Sequence, residues 1–231
     1  MATYPLHSTA TETGLIEQVK VALDENKSSQ PLADIADIDT LTLDEIIRSK
    51  LEDAARLVEE SAAHYLLEGE PIGTQSQIVW ENRSSYVGGS IVLPADFLRL
   101  VSWKMDDWER AVTEAISEED PLYDLQSSRY GGVRGNPQKP VVAIVHRSGG
   151  LVLEFYSCHD TTAVPVKALM VKRPRIFVDG ACQAEKLNIC EKLVRAVVYR
   201  AASMTAATVG DGNLAAVLLS TSNELAGIVA G

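Results

Sequence analysis

Apolar residues recur at three- and four-residue steps near both ends of the chain, and in short β-type runs in its middle. The first pattern predicts helices and the second predicts strands. Helices are predicted at 14–25, 43–67, 183–207 and 213–226. The β-type runs, separated by Gly, Pro, Asn and Asp, are 77–80, 90–93, 97–105, 141–146, 151–156 and 166–172, with a hairpin turn at 146–151.

The helix over 43–67 has the clearest start signal. Thr42 and Glu45 have the spacing of a capping box, in which each side chain accepts a hydrogen bond from the backbone amide of the other. The apolar residues that follow lie on one stripe, so the remaining positions form a polar face. That polar face is predicted to carry Glu52, Glu59 and Glu60.

This order of elements predicts an α+β protein, mainly a helical bundle with a β-rich central insertion or arm. Residues 1–40 are predicted to be an N-terminal arm with a short helix, in which 1–12 are an arm or a frayed start and 26–40 a loop. The bundle combines 41–70 with 182–231, because helices split by an insertion must pair over a long sequence distance to bury their stripes. The insertion spans 71–181 and contains an extended loop at 120–139. Loops of that length usually have a function, and the alternative is a disordered surface loop.

The charge is concentrated in the N-terminal third. The net charge is −11, and residues 1–70 carry 15 acidic and 5 basic residues. Residues 71–181 carry 13 and 12, and residues 182–231 carry 4 of each. An acidic surface repels DNA phosphates at close range, and the basic residues are too scattered for a nucleic-acid site. A solvated helix face that aids solubility has the same composition.

The sequence shows no targeting signal or membrane-spanning stretch. No apolar stretch is long enough to span a bilayer, and the first residues lack the basic and then apolar layout of a secretory signal. Three cysteines without short-range pairing are typical of a reduced compartment. We therefore expect a protein without a membrane partner that is made in a cytoplasm.

Enzymatic motifs are also missing. The sequence contains no phosphate-binding loop, nucleophile elbow or metal-ligand spacing. Cys158, His159 and Asp160 are the one cluster of reactive types, but adjacent residues of an extended chain point to opposite faces. A Cys-dependent hydrolase is therefore only the enzymatic alternative. We predict a non-enzyme without cofactor or metal, and with a binding or assembly role.

One segment carries a resemblance to a known family. Residues 90–102 contain a stretch that resembles the Leu-Pro-x-Asp-Phe-x-Arg motif of head-to-tail adaptor (connector) proteins of tailed bacteriophages. In this chain the stretch reads Leu93-Pro94-Ala95-Asp96-Phe97-Leu98-Arg99. The family's later elements follow in order over roughly 40–228, namely Trp108-Glu109, an acidic Tyr-bearing stretch at 120–124, the passage 135–140, the hairpin 141–156, a strand ending at Lys172-Arg173-Pro174 and a helix containing 198–202.

The resemblance implies a structural virion protein of the neck. Such adaptors form a ring, usually of twelve copies, below the portal, extend the DNA channel and give the tail its docking surface. Their partners are the portal and the next neck or tail protein, and they need no cofactor. The alternatives are a tail-completion protein or another neck or tail ring, and an unrelated cytoplasmic interaction module.

Three sets of residues are the candidate sites under this resemblance. An acidic channel wall, past which DNA slides without specific binding, would be lined by Glu52, Glu59 and Glu60. The neutral C-terminal segment would dock on the portal, or else pack on the bundle, through Leu218, Leu219, Leu225 and Ile228. The loop 120–139 would contact a neighbouring subunit through Tyr123, Arg129, Tyr130 and Arg134.

Overall fold

The computed structural model describes residues 1–23, 42–73, 77–83, 86–180 and 183–228. The predicted loop at 26–40 lies outside these residues. Within them the chain forms β1 (Ala2–Pro5), α1 (Leu15–Ala22), α2 (Leu43–Ser61), β2 (Glu70–Pro71), β3 (Val79–Arg83), β4 (Tyr86–Val92), β5 (Phe97–Met105), α3 (Pro121–Leu125), β6 (Val142–Arg147), β7 (Gly150–Cys158), β8 (Pro165–Lys172), β9 (Ile176–Val178), β10 (Glu185–Ile189), α4 (Val194–Val209) and α5 (Gly212–Leu225).

The prediction of a mainly helical bundle is wrong. The described residues form a mixed α/β protein with about 34% helix and 30% strand, so neither element dominates. The strands form three antiparallel sheets with the orders β1-β10-β9, β2-β8-β5 and β3-β4-β7-β6. Two compact units result: the first combines Met1–Glu68 with Arg173–Gly231, and the second is Gly69–Lys172.

The first unit contains a sheet that the sequence pattern did not predict. β1 pairs with β10 from Ala2↔Ile189 to Pro5↔Lys186, and β9 pairs with the other edge of β10. The predicted frayed start and the predicted helical turns at 183–190 are therefore both wrong. The two segments satisfy each other's backbone groups, although almost the whole chain separates them.

Helix α2 confirms the capping box. The Thr42 hydroxyl accepts from the Glu45 amide at 3.4 Å, and the Glu45 carboxylate accepts from the Thr42 amide at 2.8 Å. The helix ends at Ser61 rather than near residue 67, because the backbone leaves the helical conformation at Ala62. The amide of Ala63 then donates to the carbonyl of Ala226, just after α5.

Helices α4 and α5 form a hairpin in the first unit. Gly210 ends α4 with φ +96°, a left-handed conformation that favours glycine, and the Asp211 carboxylate caps α5. Two buried hydroxyls tie the helices together, since Ser203 donates to the Ala215 carbonyl at 2.7 Å and Ser222 to the Ala196 carbonyl at 2.8 Å. The helix predicted at 213–226 is confirmed as α5. The helix predicted at 14–25 is confirmed as α1 up to Ala22, and residues 24 and 25 lie outside the described ranges.

In the second unit the two sheets share one core. Its buried residues come from both sheets, and the ring of Phe155 lies among all three tryptophans of the chain. The centroid distances from Phe155 are 5.6 Å to Trp80, 5.4 Å to Trp103 and 6.5 Å to Trp108. A Cβ on Gly89 would lie 2.5 Å from the Phe155 ring, so glycine is required at this point of the neighbouring strand.

The six predicted β-type runs all overlap strands β3 to β8, and 97–105 matches β5 at both ends. The predicted hairpin is also confirmed, with Arg147 opposite Gly150. β4 ends just before Leu93, and Phe97, the first residue of β5, donates its amide to the Pro94 carbonyl at 3.0 Å. Leu93 and Phe97 are both buried, so this tight turn is anchored in the core at each end.

Candidate assembly surface

The four-stranded sheet β3-β4-β7-β6 has one face on the shared core and one outer face. Alternate residues of β6 and β7 form a separate buried cluster on the outer face: Ala143, Val145, Val152 and Tyr156. Ile116, Tyr123 and Val141 pack against this cluster. The chain's own segment before β6 therefore covers the β6 and β7 half of the outer face.

That covering segment is attached by backbone hydrogen bonds. Ile116 forms a parallel bridge to Ala143, donating to the Val142 carbonyl and accepting from the Ile144 amide, each at 2.9 Å. The bridge occupies the free edge of β6 and fixes where the segment crosses the sheet.

A cluster of charged and phenolic side chains holds the segment in place. The Arg147 guanidinium bonds to the carboxylates of Glu118 and Glu154 and to the Tyr123 hydroxyl. The hydroxyls of Tyr123 and Tyr156 donate to Glu154 at 3.2 and 2.7 Å. Burial opposes ionisation of Glu154, but the bonds from Tyr156 and Arg147 outweigh it and hold its pKa below the ordinary value. The cluster therefore keeps Tyr123 on the sheet.

The loop at 120–139 is built around two buried polar side chains. It begins with α3, whose first turn is capped by Asp120. Gln126 donates to the Leu122 carbonyl at 2.8 Å and accepts from the Gly135 amide at 2.9 Å. Arg134 donates to the Gly135 carbonyl at 2.9 Å and to the Ser157 hydroxyl at 3.1 Å. The two ends of the loop are thereby joined, and short helical structure replaces part of the predicted extended loop.

This loop directs several apolar side chains outward. Leu122, Leu125, Tyr130 and Val133 are 48%, 39%, 60% and 51% exposed. The Arg129 guanidinium is also exposed, and it lies 4.9 Å from the Tyr130 ring centroid and donates to the Tyr130 hydroxyl. We call these five residues the loop surface. Of the predicted inter-subunit residues, Arg129 and Tyr130 belong to it, whereas Tyr123 and Arg134 bond within the chain and position it.

A second exposed apolar area lies on the four-stranded sheet β3-β4-β7-β6. Val79 pairs with Ser90, Ser90 with Glu154, and Val92 with Val152, so all of them lie on the outer face. Val79 is 63% exposed and Val92 is 58% exposed. We call the group Val79, Glu81, Ser90 and Val92 the sheet strip. The sheet strip is the β3 and β4 half of the outer face, and the segment before β6 covers the other half.

The predicted channel-lining residues do not share one environment. Glu52 and Glu60 are exposed, and Glu52 accepts from the Ile176 amide at 3.3 Å. Glu59 is fully buried and accepts from the Cys190 amide at 2.7 Å, so its assignment to the polar face is wrong. Burial raises the pKa of Glu59 to about 7. A buried side chain cannot line a channel wall.

The predicted portal-docking residues lie on or just after α5. Leu218 is buried, which agrees with packing within its own unit rather than with a free docking surface. Leu219, Leu225 and Ile228 are half-buried, and residues 229–231 lie outside the described part of the chain. Val217, on the same helix, is 64% exposed.

The Cys158, His159 and Asp160 cluster lacks the features of a nucleophilic site. Cys158 is buried, and burial, followed by the charge of Asp107, raises the pKa of its thiol to about 12. At neutral pH such a thiol holds very little of the reactive thiolate. The amide of His159 donates to Asp107 at 2.7 Å, which fixes the end of the strand.

The described residues lack both a membrane-spanning helix and a metal-ligand cluster. No helix there has both the length and the apolar character needed to cross a membrane. No group of three or more His, Cys, Asp and Glu side chains in those ranges is arranged to hold a metal ion.

No protein-family model matches the chain, and no curated protein matches its sequence at a significant level.

Proposed function

We propose that the chain is a structural virion protein whose copies form a ring below the portal, join the capsid to the tail and extend the DNA channel. The observation that carries an assembly role is the loop surface. Buried Gln126 and Arg134, together with the Arg147 cluster, hold the loop at 120–139, which presents apolar side chains to solvent. Exposed apolar surface on an ordered scaffold is typical of a protein–protein contact.

The motif at 93–97 supports the adaptor class in particular. The resemblance implies a strand that ends at Leu-Pro, a tight turn and a following strand. β4, the turn from Pro94 to Phe97 and β5 have that arrangement. The buried side chains of Leu93 and Phe97 explain why the motif needs apolar residues at both ends of the turn.

The acidic first third supports a channel without specific DNA binding. Glu52 and Glu60 are exposed on α2 and stay candidates for the channel wall, whereas Glu59 is buried and is not a candidate. A ring repeats each subunit's charge around one axis, so DNA would meet a negative surface and slide past it. The partners in this proposal are the portal and the downstream neck or tail protein, and the location is the virion neck.

Mass photometry of the purified protein, alone and mixed with the portal protein of the same genome, tests the proposal. Twelve copies of 25.0 kDa would add about 300 kDa to each portal ring. We expect that increment, whether the free protein is already a ring or assembles only on the portal. A protein that stays monomeric and leaves the portal mass unchanged would contradict the adaptor role, and ring formation on a tail protein instead would assign it to the tail side.

A further inference from the structure

The second unit presents two exposed apolar surfaces. The loop surface contributes Leu122, Leu125, Tyr130 and Val133, and the sheet strip contributes Val79 and Val92. The other half of the strip's own sheet face is covered by Ile116 and Tyr123, which are an aliphatic and an aromatic side chain from a neighbouring segment. That face is therefore suited to a covering segment of the same chemistry, which the loop surface provides.

Charge favours a second copy of this chain as the occupant. Residues 125–153 contain four basic residues and no Asp or Glu, whereas the rest of the chain has 32 acidic and 17 basic residues. Of the four, Arg129 and Lys139 are exposed, while Arg134 and Arg147 bond within the chain. Beside Tyr130 and Val133 the exposed charge is therefore positive, whereas the exposed Asp124 lies between Leu122 and Leu125. Glu81 of the sheet strip is exposed. Opposite charge steers such surfaces together and disfavours like pairs.

We propose that the loop surface of one copy docks on the sheet strip of the adjacent copy, as the contact that repeats around the ring. A closed ring with one contact type needs two different surfaces on each subunit, a heterologous contact. Tyr130 and Val133 of one copy would cover Val79 and Val92 of the next. This contact rests on the proposed function, because it requires that copies of the chain assemble with each other.

Two double variants and one single-residue control test the contact. The loop variant is Tyr130→Asp with Val133→Asp, and the strip variant is Val79→Asp with Val92→Asp. The control is Val166→Asp, a 54% exposed valine of the same unit on β8 that belongs to neither surface. All these side chains are exposed, so the variants should fold, and near-ultraviolet circular dichroism and thermal melting would verify that they do.

Sedimentation velocity measures self-association of each variant, with and without the portal protein. We expect the loop variant and the strip variant each to raise the dissociation constant between copies by about 30-fold or more, as loss of a central aromatic contact does. The control should associate as the unmodified protein does. A mixture of loop and strip variants should form pairs but no rings, since one intact loop surface still meets one intact sheet strip.

Several outcomes would overturn the contact. Rings that form with both variants would overturn the contact and leave the adaptor role intact. Variants that self-associate normally but no longer bind the portal would also overturn the contact. Loss of DNA retention in a gel-shift assay, without any change in self-association, would assign the loop surface to DNA instead. A mixture that restores complete rings would also contradict the heterologous contact.

Discussion

Replacing Phe155 with alanine is expected to lower the free energy of unfolding by about 3–5 kcal/mol. The Phe155 side chain is fully buried, and its ring contacts the three indoles of Trp80, Trp103 and Trp108. Its removal leaves a cavity that these indoles cannot fill, because their backbone positions are fixed in β3, in β5 and in the turn after β5. Urea titration followed by tryptophan fluorescence measures the loss directly, because every tryptophan of the chain lies in this cluster.

The matched control for Phe155→Ala is Tyr130→Ala. Tyr130 is an aromatic residue of the same unit but is 60% exposed, so its truncation should change the free energy of unfolding by no more than about 0.5 kcal/mol. A loss below about 1 kcal/mol for Phe155→Ala would mean that the aromatic cluster does not hold the two sheets together.

The Glu59→Gln variant is expected to be more stable than the unmodified protein by up to about 3 kcal/mol at pH 8, and by less than about 1 kcal/mol at pH 5. The pKa of Glu59 is about 7 in the folded chain, against an ordinary 4.5. Well below pH 4.5 the carboxyl is protonated in both states and has no effect on stability. Between pH 4.5 and 7 the unfolded chain binds fewer protons than the folded one, so stability falls as pH rises.

Glutamine retains the carbonyl oxygen that accepts from the Cys190 amide and carries no charge at any pH. The Glu59 Oε2 atom has no hydrogen-bond partner, so the amide nitrogen of glutamine would replace an atom that makes no bond. Chemical denaturation at pH 5 and pH 8 provides the comparison, and Glu60→Gln, an exposed neighbour on α2, is the control. Equal stability of Glu59→Gln and the unmodified protein at pH 8 would show that the Glu59 charge is not buried at a cost.

Elements with a strong local signal were predictable from the sequence. The capping box at Thr42 fixes the start of α2, and the apolar run with its flanking turns fixes β5. The hairpin at 146–151 follows from two glycines between two β-type runs. In each case residues close in sequence decide the structure, so the pattern is sufficient.

Elements that depend on distant partners were not predictable. Leu187 and Cys190 have helical spacing with Val194, but Leu187 and Ile189 also alternate as a strand does, and over five residues the two periods cannot be told apart. The choice is made by β1, whose four residues carry no pattern of their own. The helical fold class was wrong for this reason.

The candidate site was predictable only in part. The sequence singled out the loop at 120–139 and, within it, Arg129 and Tyr130, whose side chains are exposed on the loop surface. It gave no signal that Arg134 bonds to Ser157, because that pairing depends on a strand that follows the loop. Glu59 was misplaced for a similar reason, since its partner, the Cys190 amide, lies in the C-terminal half of the chain.

Electron microscopy of particles made when an early codon of this chain is replaced by a stop codon tests the central claim most directly. The adaptor role predicts capsids that are not joined to tails, and normal tailed particles when the intact chain is supplied from a second gene. The Tyr130→Asp, Val133→Asp chain should fail to restore them, whereas the Val166→Asp chain should succeed. Normal tailed particles in the absence of the chain would contradict the account.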